Sequence, residues 1–152
     1  MYIRTNQIHC SVSDFKIQED FHLDENNRWV VMSEIIPWLE YEEEYASIFE
    51  EKIGAPAKSF RVALGSLLIQ EILKISDRET VEQIKENPYL QYFVGLECYE
   101  NKVVFDPSML VHFRKRISKE IIDKINRQIV KGTLVTEEEK KTQKKKKRIK
   151  EN

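Results

Sequence analysis

With 152 residues, 41% of them hydrophobic and only 4 of them glycine, the chain has the length of one ordinary domain. It has too few turn-formers for a barrel, a sandwich or a dinucleotide fold. Seven Phe, 6 Tyr and 2 Trp in apolar-periodic stretches exclude global disorder, no apolar run reaches a membrane span, and Cys10 and Cys98 make no disulfide framework. The net charge of -1 is divided along the chain: residues 1–57 hold 4 basic and 12 acidic side chains, whereas residues 101–152 hold 16 basic and 7 acidic, a local excess suited to a polyanion.

Residues 1–29 read as an irregular arm, because the apolar positions of QIHCSVSDF and HLDENNRW keep no period and Asp24-Glu25-Asn26-Asn27 is a turn sequence. Residues 30–36 fit one or two helical turns. Pro37 suits the first position of a helix over 37–51, with Leu39, Tyr45, Ile48 and Phe49 inward and Glu40, Glu42, Glu43 and Glu44 toward water. Gly54-Ala55-Pro56 breaks the chain before the longest apolar helix, over 57–75. There Phe60, Leu64, Leu67, Leu68, Ile72 and Ile75 recur at threes and fours, and Ala63 and Gly65 admit a close neighbour. Ser76, three residues before Glu79, opens a helix to about Glu86 that buries Val81 and Ile84. Asn87-Pro88 starts another over 88–94, ended by Gly95, and residues 96–104 form a loop or a short extended excursion. Asp106-Pro107 begins the helix of PSMLVHFRKRI. Ser118 separates it from a last helix over 119–131, striped by Ile121, Ile122, Ile125 and Ile129. Gly132 then ends the apolar pattern, and residues 132–152 are expected to be an unordered charged tail, with no apolar face to offset the entropy of ordering. The fold class is therefore all-α: a compact multi-helix bundle over 30–131 with helix-turn-helix-like DNA-binding potential, between an irregular arm and a basic tail.

No catalytic residue and no metal site is expected. His9, His22 and His112 are dispersed, Cys10 and Cys98 add no ligand pair, and adjacent glutamates on a helix point in different directions. Phosphate loops, dinucleotide fingerprints, nucleophile elbows and HExxH are missing. The basic cluster says more. In DPSMLVHFRKRISK, Met109, Leu110, Phe113 and Ile117 anchor one side of a helix. His112, Arg116 and Lys119 recur at spacings of four and three on another side, with Lys115 adjoining. These four residues are the candidate DNA contacts that supply register. Lys144, Lys145, Lys146, Lys147 and Arg148 are candidates for phosphate attraction from the tail. The same spacing also describes an exposed basic helix that balances the acidic first third, and Arg114, beside inward Phe113, has a carboxylate partner as its alternative to DNA.

The ordered set AKSFRVALGSLLIQEILKISDRETVEQIKENPYLQYFVGL and FDPSMLVHFRKRI, preceded by IPW and EEEYASIF, closely resembles the N-terminal helical domain of bacterial insertion-sequence DDE transposases, the InsH-like N-terminal domain. The resemblance covers about residues 29–126. Its landmarks here are Ser76-Asp77-Arg78-Glu79, then NPYLQYFVGL over 87–96, then FDPSMLVHFRKR over 105–116.

The resemblance implies a DNA-recognition and assembly domain that engages terminal inverted repeats. In the family an RNase H-like domain with three metal-binding acids and Mg²⁺ follows. This sequence runs instead into the Lys-rich segment, so the expectation is the DNA-binding part of a transposase that does not catalyse strand transfer by itself and has no cofactor of its own. Asp77, Asp106 and Asp123 lie in the helical domain and are not assigned the catalytic role; two of them suit first-turn or N-cap positions. Expected partners are inverted-repeat DNA and a transposase catalytic subunit or a second copy, with no membrane. The location expected is the cytoplasm, on nucleoid DNA. The alternatives are a protein-interaction or regulatory module, or the non-catalytic half of a split DDE transposase.

Overall fold

The computed structural model describes residue 2 and residues 10–49 and 57–151, the side chains of 133–137 apart. Gly54-Ala55-Pro56 and His9 fall outside the described residues. Among these residues seven helices follow one another: α1 Arg28–Ile35, α2 Trp38–Ala46, α3 Phe60–Leu73, α4 Asp77–Glu86, α5 Pro88–Phe93, α6 Met109–Arg116 and α7 Lys119–Glu151. Among the described residues the only β-pairing is a single parallel bridge between Lys16 and Cys98.

Short polar side chains begin most of these helices. Asn27 accepts a hydrogen bond from the Trp29 N–H, Ser59 from Val62, Ser76 from Glu79 and Asn87 from Tyr89, each satisfying an amide that the helix leaves without a partner. Pro88 starts α5, and Gly95 ends it with φ +89, where a side chain would be strained. Asp106 acts one step earlier than a helix cap: its carboxylate accepts from the Ser108 N–H and hydroxyl, and α6 begins only at Met109.

The buried faces of these helices converge on α3, which packs against α2, α4 and α6, while α5 is held between α1 and α4. Leu64, Leu68, Ile69, Ile84, Phe93, Leu110 and Phe113 have no more than trace exposure. Phe93 is wedged edge-on between Trp29 (5.2 Å between ring centroids) and Trp38 (5.5 Å). Gly65 allows this approach, because a Cβ there would lie 3.1 Å from Val94 Cγ1. A smaller cluster of Phe15, Leu23, Val30 and Tyr92 holds part of the N-terminal arm down.

Two expectations are corrected. In α2 the inward stripe is Trp38, Tyr41 and Tyr45, not Leu39 and Ile48, which are 67% and 52% exposed. Three aromatic side chains at spacings of three and four bury more area than the out-of-phase aliphatics, so they set the rotation of the helix. Glu42 is carried inward with them and accepts a hydrogen bond from the Tyr2 hydroxyl at 2.6 Å. The second correction concerns residues 132–151, expected to be unordered but continuous with α7, which runs 33 residues to Glu151. Gly132 ends nothing. It lies against α1, where a Cβ would be 2.6 Å from Ile35 Cγ2. Lys, Glu and Gln are good helix formers and no proline follows, so a helix already nucleated and docked at Ile125 and Ile129 propagates without further burial.

Leu64→Ala and Phe113→Ala should each lower the unfolding free energy by about 2–5 kcal/mol in denaturant titrations, since both side chains are fully enclosed. An unchanged midpoint would contradict the packing. Gly132→Ala should also destabilise, by about 1–3 kcal/mol, despite alanine's better helix propensity, because β-branched Ile35 has little rotamer freedom to move aside. Adding Ile35→Ala should reduce that penalty, a coupling that a double-mutant cycle measures.

Candidate nucleic-acid interface

The corner between α6 and α7 is built from its buried side outward. Leu110, Phe113 and Ile117 are at most 2% exposed, and Phe105 meets Phe113 edge-on at 5.4 Å between centroids. Ile117 leaves the helix in an extended conformation (φ -108, ψ 113), and the Ser118 hydroxyl accepts a hydrogen bond from Ile121 N–H as α7 opens. Anchoring these three side chains leaves His112, Lys115 and Lys119 exposed. Lys119 belongs to the second helix of the corner, not to the stripe of α6, because the chain turns at Ile117.

The two arginines of RKR are used internally. Arg114 forms a two-pronged pair with Asp77, Nη1 to Oδ1 at 2.7 Å and Nη2 to Oδ2 at 2.9 Å, and also donates to Gln70 Oε1 at 3.0 Å. Arg114 holds the Asp77 carboxyl below its usual range, and Asp77 in turn raises the guanidinium. The Asp77 of SDRE and the Arg114 of FRKR, 37 residues apart, thus tie the start of α4 to α6.

Arg116 turns the other way. Its guanidinium lies 4.6 Å from the Phe49 ring centroid, its Nη1 is enclosed, and it lines a cleft of about 270 Å³ with Tyr41, Tyr45, Phe60 and Ile121. Burial raises the Tyr45 hydroxyl pKa, and neighbouring Arg116 opposes the rise. Of the four candidates at this corner, the structure leaves three at the surface and folds Arg116 into the α2–α6 contact. Lys144, Lys145, Lys146, Lys147 and Arg148 are exposed near the far end of α7, with Lys140, Lys141 and Lys150 beside them in sequence.

Among the described residues the carboxylates do not converge in a comparable way. Asp77 is paired with Arg114, Asp106 is occupied by Ser108, and Asp123 stands exposed on α7. Among the described residues no group of three or more His, Cys, Asp or Glu is placed to hold a metal ion. These residues do not fit a two-metal phosphoryl-transfer centre, which needs acids on one spot. Among the same residues no helix is long and apolar enough to cross a membrane.

Two buried polar residues that the spacing did not single out organise the body behind this corner. Arg61 donates from Nε to the Phe93 carbonyl at 2.9 Å and from Nη2 to the Tyr92 carbonyl at 3.0 Å, under the Trp38 ring at 4.7 Å. Gln91 donates to the carbonyls of Ile84 (3.1 Å) and Glu100 (2.8 Å) and accepts from the Glu100 N–H (3.1 Å), stitching α4, α5 and the following loop. The only sequence signal for either was a polar residue inside an otherwise apolar stretch.

The transposase domain family (DUF772) matches residues 17–116, and the chain belongs to that family. A protein of Rhizobium meliloti described as "Uncharacterized protein ORF8 in nfe locus" is 29% identical over 122 residues, covering 80% of this chain. The chain spans 58% of that relative's length. No solved structure matches.

The Arg114–Asp77 pair predicts a modest, pH-dependent contribution. Both groups are partly exposed (43% and 32%), so Asp77→Asn or Arg114→Gln should cost only about 0.5–1 kcal/mol at pH 7. Because the folded carboxyl is depressed, this stabilisation is present above the ordinary aspartate range near pH 4 and is lost as pH falls through the lowered value. Thermal melts of parent and Asp77→Asn should therefore converge on acidification.

Proposed function

We propose that this chain is the DNA-recognition part of an insertion-sequence transposase of the DDE class, engaging the element's inverted-repeat ends without cleaving or joining strands by itself. The observation that carries the reading is the α6–α7 corner. Its apolar side is fixed by Leu110, Phe113 and Ile117, and its outer side presents His112, Lys115 and Lys119 on a held backbone. Held cations give register on a duplex, which unanchored ones do not. Of the cations near the end of α7, Lys144 and Arg148 add phosphate attraction. Arg116 serves the reading from behind, by setting α6 against Phe49 and Tyr45. The metal-dependent chemistry of a DDE transposase is placed outside these residues, since no three acids among those described are set to hold a metal ion; Mg²⁺ would belong to a catalytic domain and not to this one.

The test compares the full chain on duplexes carrying the element's inverted-repeat end and on scrambled duplexes, across a salt series. Lys115→Gln with Lys119→Gln should weaken binding to every duplex and lower the salt slope by about 2, with the melting temperature unchanged. Arg116→Ala should instead lower the melting temperature through the lost aromatic contact, by about 1 kcal/mol in stability. Parent-like binding by the lysine variant on all duplexes would remove this corner as the DNA surface.

A further inference from the structure

The length and rotation of α7 carry a second step, which rests on the DNA reading and specifies how the duplex is engaged. The helix is unbroken over 33 residues, about 50 Å at 1.5 Å per residue. At about 100° per residue, Lys144 and Arg148 return to within about 20° of Lys119, and Lys141 to within about 40°. Lys146 and Lys150 fall about 180° and 140° away, and Lys150 continues the line of buried Ile125. Five consecutive cations, interchangeable on a flexible tail, are thus sorted onto opposite sides of a helix.

The stripe through Lys119 is cationic at its ends and not in its middle, where it carries Asp123 and exposed Val130. Lys119 and Lys144 are separated along the axis by about 38 Å, close to one turn of duplex DNA, about 34–36 Å. Gly132 presses α7 onto Ile35 of α1 between these two points, so the direction of the far half is set by the folded body.

We propose that α7 is a one-faced ruler for duplex DNA. Lys119, immediately after the corner bearing His112 and Lys115, meets phosphates at one point, and Lys144 and Arg148 meet phosphates one helical turn further along the same side. Lys146 and Lys150 face away from the duplex. A site shorter than one turn engages only the corner.

The test uses two charge-matched variants of the full chain, Lys144→Gln with Arg148→Gln and Lys146→Gln with Lys150→Gln. Binding is measured on a random-sequence duplex of about 24 base pairs and on one of about 8, over a salt series. On the long duplex the first pair should lower the slope of log K against log salt by about 2, and the second should leave it within about 0.5. On the short duplex neither should differ from the parent. Gln143→Pro, which breaks the helix ahead of the cluster, should erase the distinction between the two pairs. Equal losses from both pairs on the long duplex would show a face-blind polycation and overturn the ruler while leaving DNA binding intact. No loss from either pair, with Lys115→Gln and Lys119→Gln still weakening binding, would also overturn the ruler alone. No loss from any of these variants would overturn the DNA reading itself.

Discussion

The guanidinium of Arg61 is buried at the meeting point of three helices, and its hydrogen-bond partners among the described residues are backbone carbonyls, not carboxylates. A charge in that position needs other compensation, and it comes from the last carbonyls of α5 and from the faces of Trp38 and Tyr92. The negative end of the α5 dipole adds to the same effect. Burial pulls the group down only to about 10, so it stays charged at neutral pH. The arrangement constrains its neighbours. Gly95 must lack a side chain, because a Cβ would lie 2.9 Å from Arg61 Cδ, and α5 must end where its carbonyls meet the guanidinium. With α5 fixed, Phe93 is held between Trp29 and Trp38, and α1 and α2 follow. Gln91 extends the constraint to α4 and the 97–100 loop. Removing Arg61 would take the donor from the buried Phe93 carbonyl, a larger loss than the bond itself, whereas the Tyr92 carbonyl keeps the Gly95 N–H.

The same economy of cations explains the basic corner. Arg114 and Arg116, adjacent to the exposed set in sequence, are consumed by Asp77 and by the aromatic wall of Phe49 and Tyr45. Planar guanidinium suits both tasks, a two-pronged carboxylate contact in one case and stacking on a ring in the other. Compact, strongly hydrated ammonium groups stay outside. Arginine thus takes the internal partners, Arg114 at the surface and Arg116 half-buried, and Lys115 and Lys119 stay exposed with His112.

The far half of α7 has a different energetic basis from the near half. Ile125 and Ile129 bury the near half against the body, whereas residues 138–151 are exposed throughout. Local propensity sustains the far half, and lysines four apart, such as Lys140 and Lys144, repel by a few tenths of a kcal/mol per pair. A polyanion relieves that repulsion, so duplex binding and helix stability in this segment favour one another.

The sequence by itself determined where α4 and α5 begin and end and where α7 begins. Ser76, Asn87-Pro88, Gly95 and Ser118 act through bonds or dihedral limits within a few residues, and such local chemistry survives any tertiary arrangement. It also determined the inward side of α6 and most of the α3 core, Phe60, Leu64, Leu67 and Leu68, although Ile72 of the same stripe is exposed. Only the tertiary structure decided the rotation of α2, because Leu39 and Ile48 compete with Trp38, Tyr41 and Tyr45 for one cavity and the larger rings fill it. It decided that Gly132 is a contact with Ile35 and not a terminator, a distinction set by a helix nearly a hundred residues away. It decided, too, that Arg114 pairs with Asp77 and Arg116 turns toward Phe49, while His112 and Lys115 face solvent. Burial, pairing and stacking partners come from α2, from α4 and from the turn that follows α2, and no spacing within α6 contains them.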